Sequence, residues 1–358
     1  MDSLISFYSC TQSQYVEKVL CSLKKGERHA RDLYSAGFKS GSLDPNASWI
    51  EPQAMKLVQD ICSMTDMTLP KISLVVEEGE VSKFLLKYAD GLESESVLIP
   101  MKFGKTLCVS SQVGCRMACA FCETGKMGLL RNLTASEIVS QVFIAKFILK
   151  AEVRNLVFMG MGEPFDNYEE VMQAISVLTC PSGMGISPKN ITVSTSGRVD
   201  EIYRFSREVA TSLKLAVSLN APNDHIRSKL MPVNKDWNLS TLKEAMQEYL
   251  KNPKRIILVE YVLIAGVNDS PEDALEVSQF LKGLRVKVNL IPYNSQSKGR
   301  LQAPSEEKME EFRRILKREG YSVFLRIAKG NAIMAACGQL GNRDLKKNPG
   351  VKSSLSLL

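Results

Sequence analysis

The sequence predicts an α/β protein: a partial (β/α)6 barrel, preceded by a small helical accessory unit and a short β-extension. Three observations carry that expectation. From about residue 105 onward, seven strand-like segments alternate with six amphipathic stretches, the pattern of a parallel sheet with helices on its outer face. Before that, apolar residues recur at helical spacing and then give way to alternating strands. The chain has 358 residues, 44% of them hydrophobic and 24% charged, enough for one large core with one small appended unit.

Taken in order, "VEKVLCSLKK", "GERHARDLYSAGF" and "EPQAMKLVQDICSM" read as helices, the second with a basic face. "KISLVVEE", "SKFLLKYADG" and "ESVLIPM" read as strands joined by the turns "EEGE" and "ADGLES". The barrel strands are "TLCVSS", "RNLVFMG", "NITVSTS", "LKLAVSLN", "RIILVEYVLI", "VKVNLIPY" and "YSVFLRI". Between them lie helical segments at 134–150, 167–178, 199–208, 239–250, 270–284 and 305–320. Helix starts are expected at Thr134 with Glu137, and at Ser240 and Ser270 ahead of acidic first turns. The expected organisation is an accessory unit with linking strands at 1–85, a catalytic core at 86–342 and a polar tail at 343–358.

Lys and Arg total 46 and Asp and Glu 39, for a net charge of +7. That surplus permits a polyanionic partner without requiring one. No apolar run approaches the roughly 20 residues that span a bilayer. The opening "MDSLISFYSCTQSQY" lacks the basic start and apolar stretch of a secretory signal. A cytoplasmic location with no membrane partner is expected. The nine cysteines point away from a disulfide framework and toward thiols used as ligands, nucleophiles or core.

Cys115, Cys119 and Cys122 form a C-x3-C-x2-C loop directly after the first barrel strand. Active sites of such barrels sit at the C-terminal ends of the strands. A structural zinc needs four ligands, but the chain has only two histidines, His29 and His225, and no second CxxC. Three thiolates on one loop can instead hold three irons of a [4Fe–4S] cube and leave the fourth open to substrate. Past other strands lie Gly160, Gly162 and Glu163 in "MGMGEP", Ser194 in "TVSTSG", Ser218, Leu219 and Asn220 in "SLNAP", and Asn294 in "IPYN". Glycines there allow close backbone approach; loop and cap roles remain the plain alternative for the others. Cys108 and Cys337 read by themselves as core thiols, although the small residues around Cys337 suit a mobile, accessible loop.

The cysteine loop, with Phe121 before its last cysteine, resembles the radical S-adenosylmethionine (AdoMet) superfamily. "LCVSSQVGC", "MGMGEP", "VSTSG", "SLNAPND", "RSKLMPVN", "LIPYN" and "AACGQL", in order from residue 107 to 340, closely resemble the RlmN/Cfr family of RNA adenine methyltransferases. "GERHARDLY" resembles that family's accessory domain. The resemblance implies a radical AdoMet barrel with one [4Fe–4S] cluster on Cys115, Cys119 and Cys122, and two AdoMet per turnover. It places AdoMet contacts at Gly162, Glu163, Ser194, Ser218, Leu219, Asn220 and Asn294; Asn220 stands where histidine is expected, so that contact is expected through the backbone. It implies that Cys337 is methylated by one AdoMet and that a deoxyadenosyl radical from the second takes hydrogen from that methyl. The methylene then adds to adenine, and Cys108 releases the product by forming a disulfide with Cys337. Glu95 is the implied proton acceptor, with Glu93 as rival.

The implied substrates are C2 of an adenine in 23S rRNA and the adenine following the anticodon in some tRNAs. The implied partners are an electron donor such as flavodoxin and a thiol reductant, and the chain is expected to act as a monomer. Arg28, Arg31, Lys39, Arg313, Arg314, Lys317 and Arg318 offer phosphate contacts or plain solvated helix faces. A Cfr-type C8 methyltransferase conferring antibiotic resistance is the alternative within the family: "IPYN", "CVSSQVGC" and "GERHARDLY" favour C2, and "RSKLMPVN" pulls the other way. From another class, the alternative is a non-catalytic RNA-binding protein with a structural metal.

Overall fold

The computed structural model describes residues 4–294, 300–326, 330 and 332–341. Three helices come first: α1 (Gln12–Leu23), α2 (Glu27–Ser40) and α3 (Met55–Ser63). Each buries one apolar stripe, such as Leu33, Tyr34 and Phe38 on α2. Thr11 and Gln14 close a capping box on α1. Phe7 stacks on Phe38 at 4.7 Å and Tyr8 meets Phe143 at 4.8 Å, so the helical unit shares one core with the barrel helices.

Ten strands then form a single sheet in strict sequence order. They are β1 (Lys71–Glu78), β2 (Val81–Lys87), β3 (Glu93–Pro100), β4 (Lys105–Cys108), β5 (Val153–Phe158), β6 (Ile191–Thr195), β7 (Lys214–Ser218), β8 (Ile257–Leu263), β9 (Val286–Pro292) and β10 (Ser322–Leu325). β1 to β3 are antiparallel, and β3 pairs antiparallel with β4. From β4 to β10 every pairing is parallel. Residues 85 and 86 both lie within β2, so the β-extension continues the barrel sheet.

The helices between parallel strands are α4 (Ala135–Phe143), α5 (Tyr168–Thr179), α6 (Val199–Glu208), α7 (Asp224–Leu230), α8 (Leu239–Tyr249), α9 (Pro271–Leu281) and α10 (Glu306–Arg318). Thr134 with Glu137 and Ser270 with Asp273 form the capping boxes of α4 and α9. Ser240 does not start a helix: α8 begins two residues earlier in cap position, where the Asn238 side chain accepts from the Thr241 amide. An asparagine carbonyl competes well with a serine hydroxyl for that role. After α4 the chain continues as one π-turn over Ile144–Ile148 rather than a single long helix.

Candidate active site

The cysteine loop leaves β4 and folds back on itself. Gln112–Cys115 and Gly128–Asn132 pair antiparallel around it, and Ala118 adopts a left-handed φ of 50° at its tip. The Ala120 amide donates to Leu230 O at 2.9 Å and the Cys122 amide to Cys119 O at 3.1 Å. Arg116, between the first two cysteines, grips buried Asp166 with both Nε (2.5 Å) and Nη2 (2.9 Å). Burial pushes the Cys115 thiol up to about 12 and raises those of Cys119 and Cys122. The amides of Gly125 and Thr124 pull Cys122 back down without reversing the effect.

The loop bearing Cys337 lies directly on this one. The Glu123 amide donates to Gly338 O at 2.8 Å, and Thr124 Oγ1 to Leu340 O at 2.7 Å. Asn294 Nδ2 donates to the carbonyl of Cys337 itself at 3.0 Å. Cys337 is exposed, yet protein surrounds it deeply enough that its thiol rises to about 11, with Glu260 adding to the rise and Arg326 opposing it. The accessibility read from the small neighbouring residues is therefore present, but the loop is tied to its surroundings along much of its length.

Cys108 ends β4 and packs with Val97, Met161, Ile333, Ala335 and Leu340. Its thiol is pushed up by burial first and by the nearby Cys337 second. All nine cysteines are free. Glu95 points into the same corner from β3: Gly341 N donates to its Oε1 at 3.1 Å, and Lys83 Nζ to its Oε2 at 3.0 Å. Glu93 lies on the same strand near its start.

The candidate AdoMet residues gather at the C-terminal strand ends, but several are engaged with the protein itself. Glu163 is buried and accepts from the amides of Ser196 (2.7 Å) and Phe165 (3.1 Å); burial raises its pKa against those bonds. At Gly162 (φ 103°) a Cβ would lie 2.6 Å from Gln112, and at Gly160 2.6 Å from Val109 O. These glycines let two loops of the protein approach each other. Asn220, at φ 56°, uses its side chain internally: Oδ1 accepts from Val262 N at 2.8 Å, and Nδ2 faces Met231 Sδ at 3.3 Å. Asparagine tolerates that backbone region better than most residues. Ser194 is half-buried within β6, Ser218 ends β7, and the Leu219 amide donates to Glu260 O at 2.9 Å.

A family model described as the radical SAM superfamily matches residues 109–277. The chain is 50% identical over 346 residues, 96% of each protein, to a probable dual-specificity RNA methyltransferase RlmN 1 of Protochlamydia amoebophila. It is 36% identical over 359 residues, 100% of this chain and 98% of the other, to a dual-specificity RNA methyltransferase RlmN of Geobacter sulfurreducens. A crystal structure of a radical SAM methyltransferase from Sphaerobacter thermophilus superposes with a TM-score of 0.87 at 38% identity, covering 94% of this chain and 99% of that one. The chain belongs to the RlmN family of radical SAM methyltransferases.

That family implies a [4Fe–4S] cluster and AdoMet, and the donor set fits both. Among the described residues no three His, Cys, Asp or Glu side chains converge on one metal ion. A four-iron cube needs no such convergence, because each thiolate binds a separate iron. Three thiols with raised pKa values otherwise stay protonated; coordination supplies the positive charge that ionises them. The Tyr293 hydroxyl, buried beside Cys119 and Cys122, has no hydrogen-bond partner among the described residues.

One residue of this RlmN-family site had no sequence signal beyond its place in "RSKLMPVN". Arg227 is fully buried. It donates to Ser196 O (2.6 Å), Ser218 O (3.2 Å), Leu219 O (3.1 Å) and Asn234 Oδ1 (2.9 Å). It thereby joins the ends of β6 and β7, where AdoMet contacts are expected. Burial lowers its pKa to about 10, with Cys119 and Asp224 opposing the drop. The basic residues read as phosphate contacts are partly committed elsewhere: Arg31 pairs with Glu27 at 2.8 Å, Arg28 lies 3.8 Å from Asp32, and Arg313 pairs with Glu310 at 2.8 Å.

Proposed function

We propose that this radical SAM methyltransferase acts on C2 of adenine in 23S rRNA and in tRNA, carrying the one-carbon unit on Cys337 and releasing product through Cys108. The observation that supports this most is the meeting of three elements distant in sequence. The Cys337 loop, the Cys108 strand end and Glu95 share one corner beside the cysteine loop. Two structural thiols would have no reason to sit beside a buried carboxylate at the mouth of such a loop.

Cys115, Cys119 and Cys122 hold one cluster, and residues of the strand ends around Glu163, Ser194, Ser218–Asn220 and Asn294 hold AdoMet. When bound, these groups supply the methyl carbon and, from a second AdoMet, the radical that activates it. Asn294 Nδ2 donates to the Cys337 carbonyl and so ties the backbone that carries this sulfur to the chain just past β9. Glu95 Oε1 accepts the proton that leaves C2. Cys108 then attacks the Cys337 sulfur as the bond from that sulfur to the methylene carbon breaks; the thiol proton goes to that carbon and completes the methyl group, the one surplus electron would pass to the cluster that Cys115, Cys119 and Cys122 would hold, and a disulfide remains for an external thiol to reduce. Adenine C2 is an amidine carbon and not a nucleophile, which is why a carbon radical on Cys337 suits it. An electron donor such as flavodoxin is proposed. The chain works as a monomer in the cytoplasm, with the helices of residues 1–85 as its RNA-binding accessory unit; the expected tail at 343–358 lies outside the described residues.

The test is mass spectrometry of nucleosides from RNA of a deletion strain and its complement. 2-Methyladenosine is expected. 8-Methyladenosine as the main product would assign the Cfr-type reaction, and no methylated adenosine together with bound zinc would assign a non-catalytic RNA-binding protein. Cys108→Ala should accumulate protein bound covalently to RNA through Cys337. The Cys108→Ala/Cys337→Ala double variant should accumulate none.

A further inference from the structure

Lys83 sits in the middle of β2 with none of its surface exposed, flanked by Val81, Phe84, Leu85 and Leu86, all buried. A buried ammonium survives only with strong partners, and a methionine or leucine would fill the same space at far lower desolvation cost. Its partners are informative. Nζ lies 3.0 Å from Glu95 Oε2 and 3.0 Å from the carbonyl of Met334. The other carboxylate oxygen, Oε1, accepts from the Gly341 amide. Met334 and Gly341 lie on either side of Cys337, and both have left-handed backbones, at φ 52° and φ 91°. One ion pair therefore holds both flanks of the loop that carries the proposed methyl-bearing cysteine.

We infer that Lys83 is a positioning residue: it pins the Cys337 loop through Met334, holds Glu95 by Oε2, and leaves only Oε1 to be freed when the Gly341 amide is displaced by incoming RNA. This rests on the reading of Glu95 as the proton acceptor. In the docked arrangement both carboxylate oxygens are occupied, so proton removal is coupled to movement of the same loop that delivers the carbon. Burial lowers the Lys83 pKa while Glu95 opposes the drop, as an ion pair sealed from water requires. The other ionisable groups of this corner are Glu78, whose Oε2 accepts from Ala332 N at 2.9 Å, and the thiols of Cys108 and Cys337. Burial keeps both thiols protonated through the range used below.

The experiment uses reconstituted holoenzyme and RNA from the deletion strain. Without the ammonium, neither Glu95 Oε2 nor the Met334 carbonyl is held in place. Lys83→Met should then trap the protein–RNA adduct at both pH 7 and pH 9. Glu95→Gln should trap it at both values, and Lys83→Arg should stay within a few-fold of the parent at pH 7. Amide exchange over residues 332–341 should quicken at least tenfold in Lys83→Met while the β5 to β8 strands stay protected. Lys83→Gln serves the same comparison if the methionine variant does not fold. Parent-like methylation at pH 7 with unchanged exchange would overturn the inference. If Glu95→Gln turns over like the parent while Lys83→Met still loosens the loop, the proton-acceptor reading fails and the clamp stands.

Discussion

Arg227→Met tests how the strand ends are held together. Methionine fills the stem of the side chain, so the loss is of hydrogen bonds and not of volume. Four acceptors lose their donor: Ser196 O, Ser218 O, Leu219 O and Asn234 Oδ1. Hydrogen bonds to a charged donor contribute about 1.5–3 kcal/mol each, and the desolvation cost of the buried guanidinium, several kcal/mol, is recovered in the variant. The difference is about 3 kcal/mol lost. At an unfolding entropy of about 2.1 cal/mol/K per residue, a chain of 358 residues should lose roughly 4 °C in Tm. AdoMet binding should weaken as well, because the two loops that lose their anchor are those expected to contact it; a weakening of about tenfold corresponds to ~1.4 kcal/mol of misplacement. Urea unfolding followed by circular dichroism and equilibrium dialysis with AdoMet measure the two effects. Arg227→Lys keeps the charge without the planar fork and should fall between. A methionine variant within 1 kcal/mol of the parent that binds AdoMet equally well would refute the reasoning.

Other expectations follow from the same geometry. Replacing any of Cys115, Cys119 and Cys122 with Ala should abolish the visible absorption of the cluster and AdoMet cleavage; a fully retained cluster in the triple variant contradicts the ligand assignment. Labelling of unmethylated Cys337 by iodoacetamide should climb about tenfold per pH unit from neutrality and level off only near the thiol's raised value of about 11; a plateau near pH 8.5 would mark an ordinary thiol. Cluster-free protein should lose stability as pH rises past about 9. There the unfolded thiols ionise while Cys108, Cys115 and Cys119, raised in the fold, keep their protons. The triple Ala variant should show less of this loss, and equal alkaline sensitivity would speak against it. Gly162→Ala combines a left-handed φ with a Cβ 2.6 Å from Gln112 and should cost about 2 kcal/mol or more, read as a fall in the urea midpoint.

Much of the molecule was legible in the sequence because the signals were local. Strand and helix periods, the Thr134–Glu137 and Ser270 starts and the C-x3-C-x2-C spacing each depend on residues within one turn or one strand. The error at Ser240 shows the limit of such reading: two capping side chains stood two residues apart, and only the backbone of α8 chose Asn238. The family resemblance drew attention to Cys108, Cys337 and Glu95 across gaps that spacing alone does not bridge. What the Asn220 side chain binds was not legible: it holds the amide of Val262, 42 residues away.

By itself, then, the sequence determined the alternation that makes a parallel sheet, the three thiols on one loop and the membership of a family. The tertiary structure decided which polar groups meet. Lys83 reaches Met334 across 251 residues of chain, Glu95 reaches Gly341 across 246, and Arg227 gathers carbonyls from two separate strand ends. A lysine within an apolar strand and an arginine in a short helix carry no mark of burial in the sequence. Their charge is tolerated only because partners from distant elements arrive at bonding distance, and that arrival is set by the closing of the sheet.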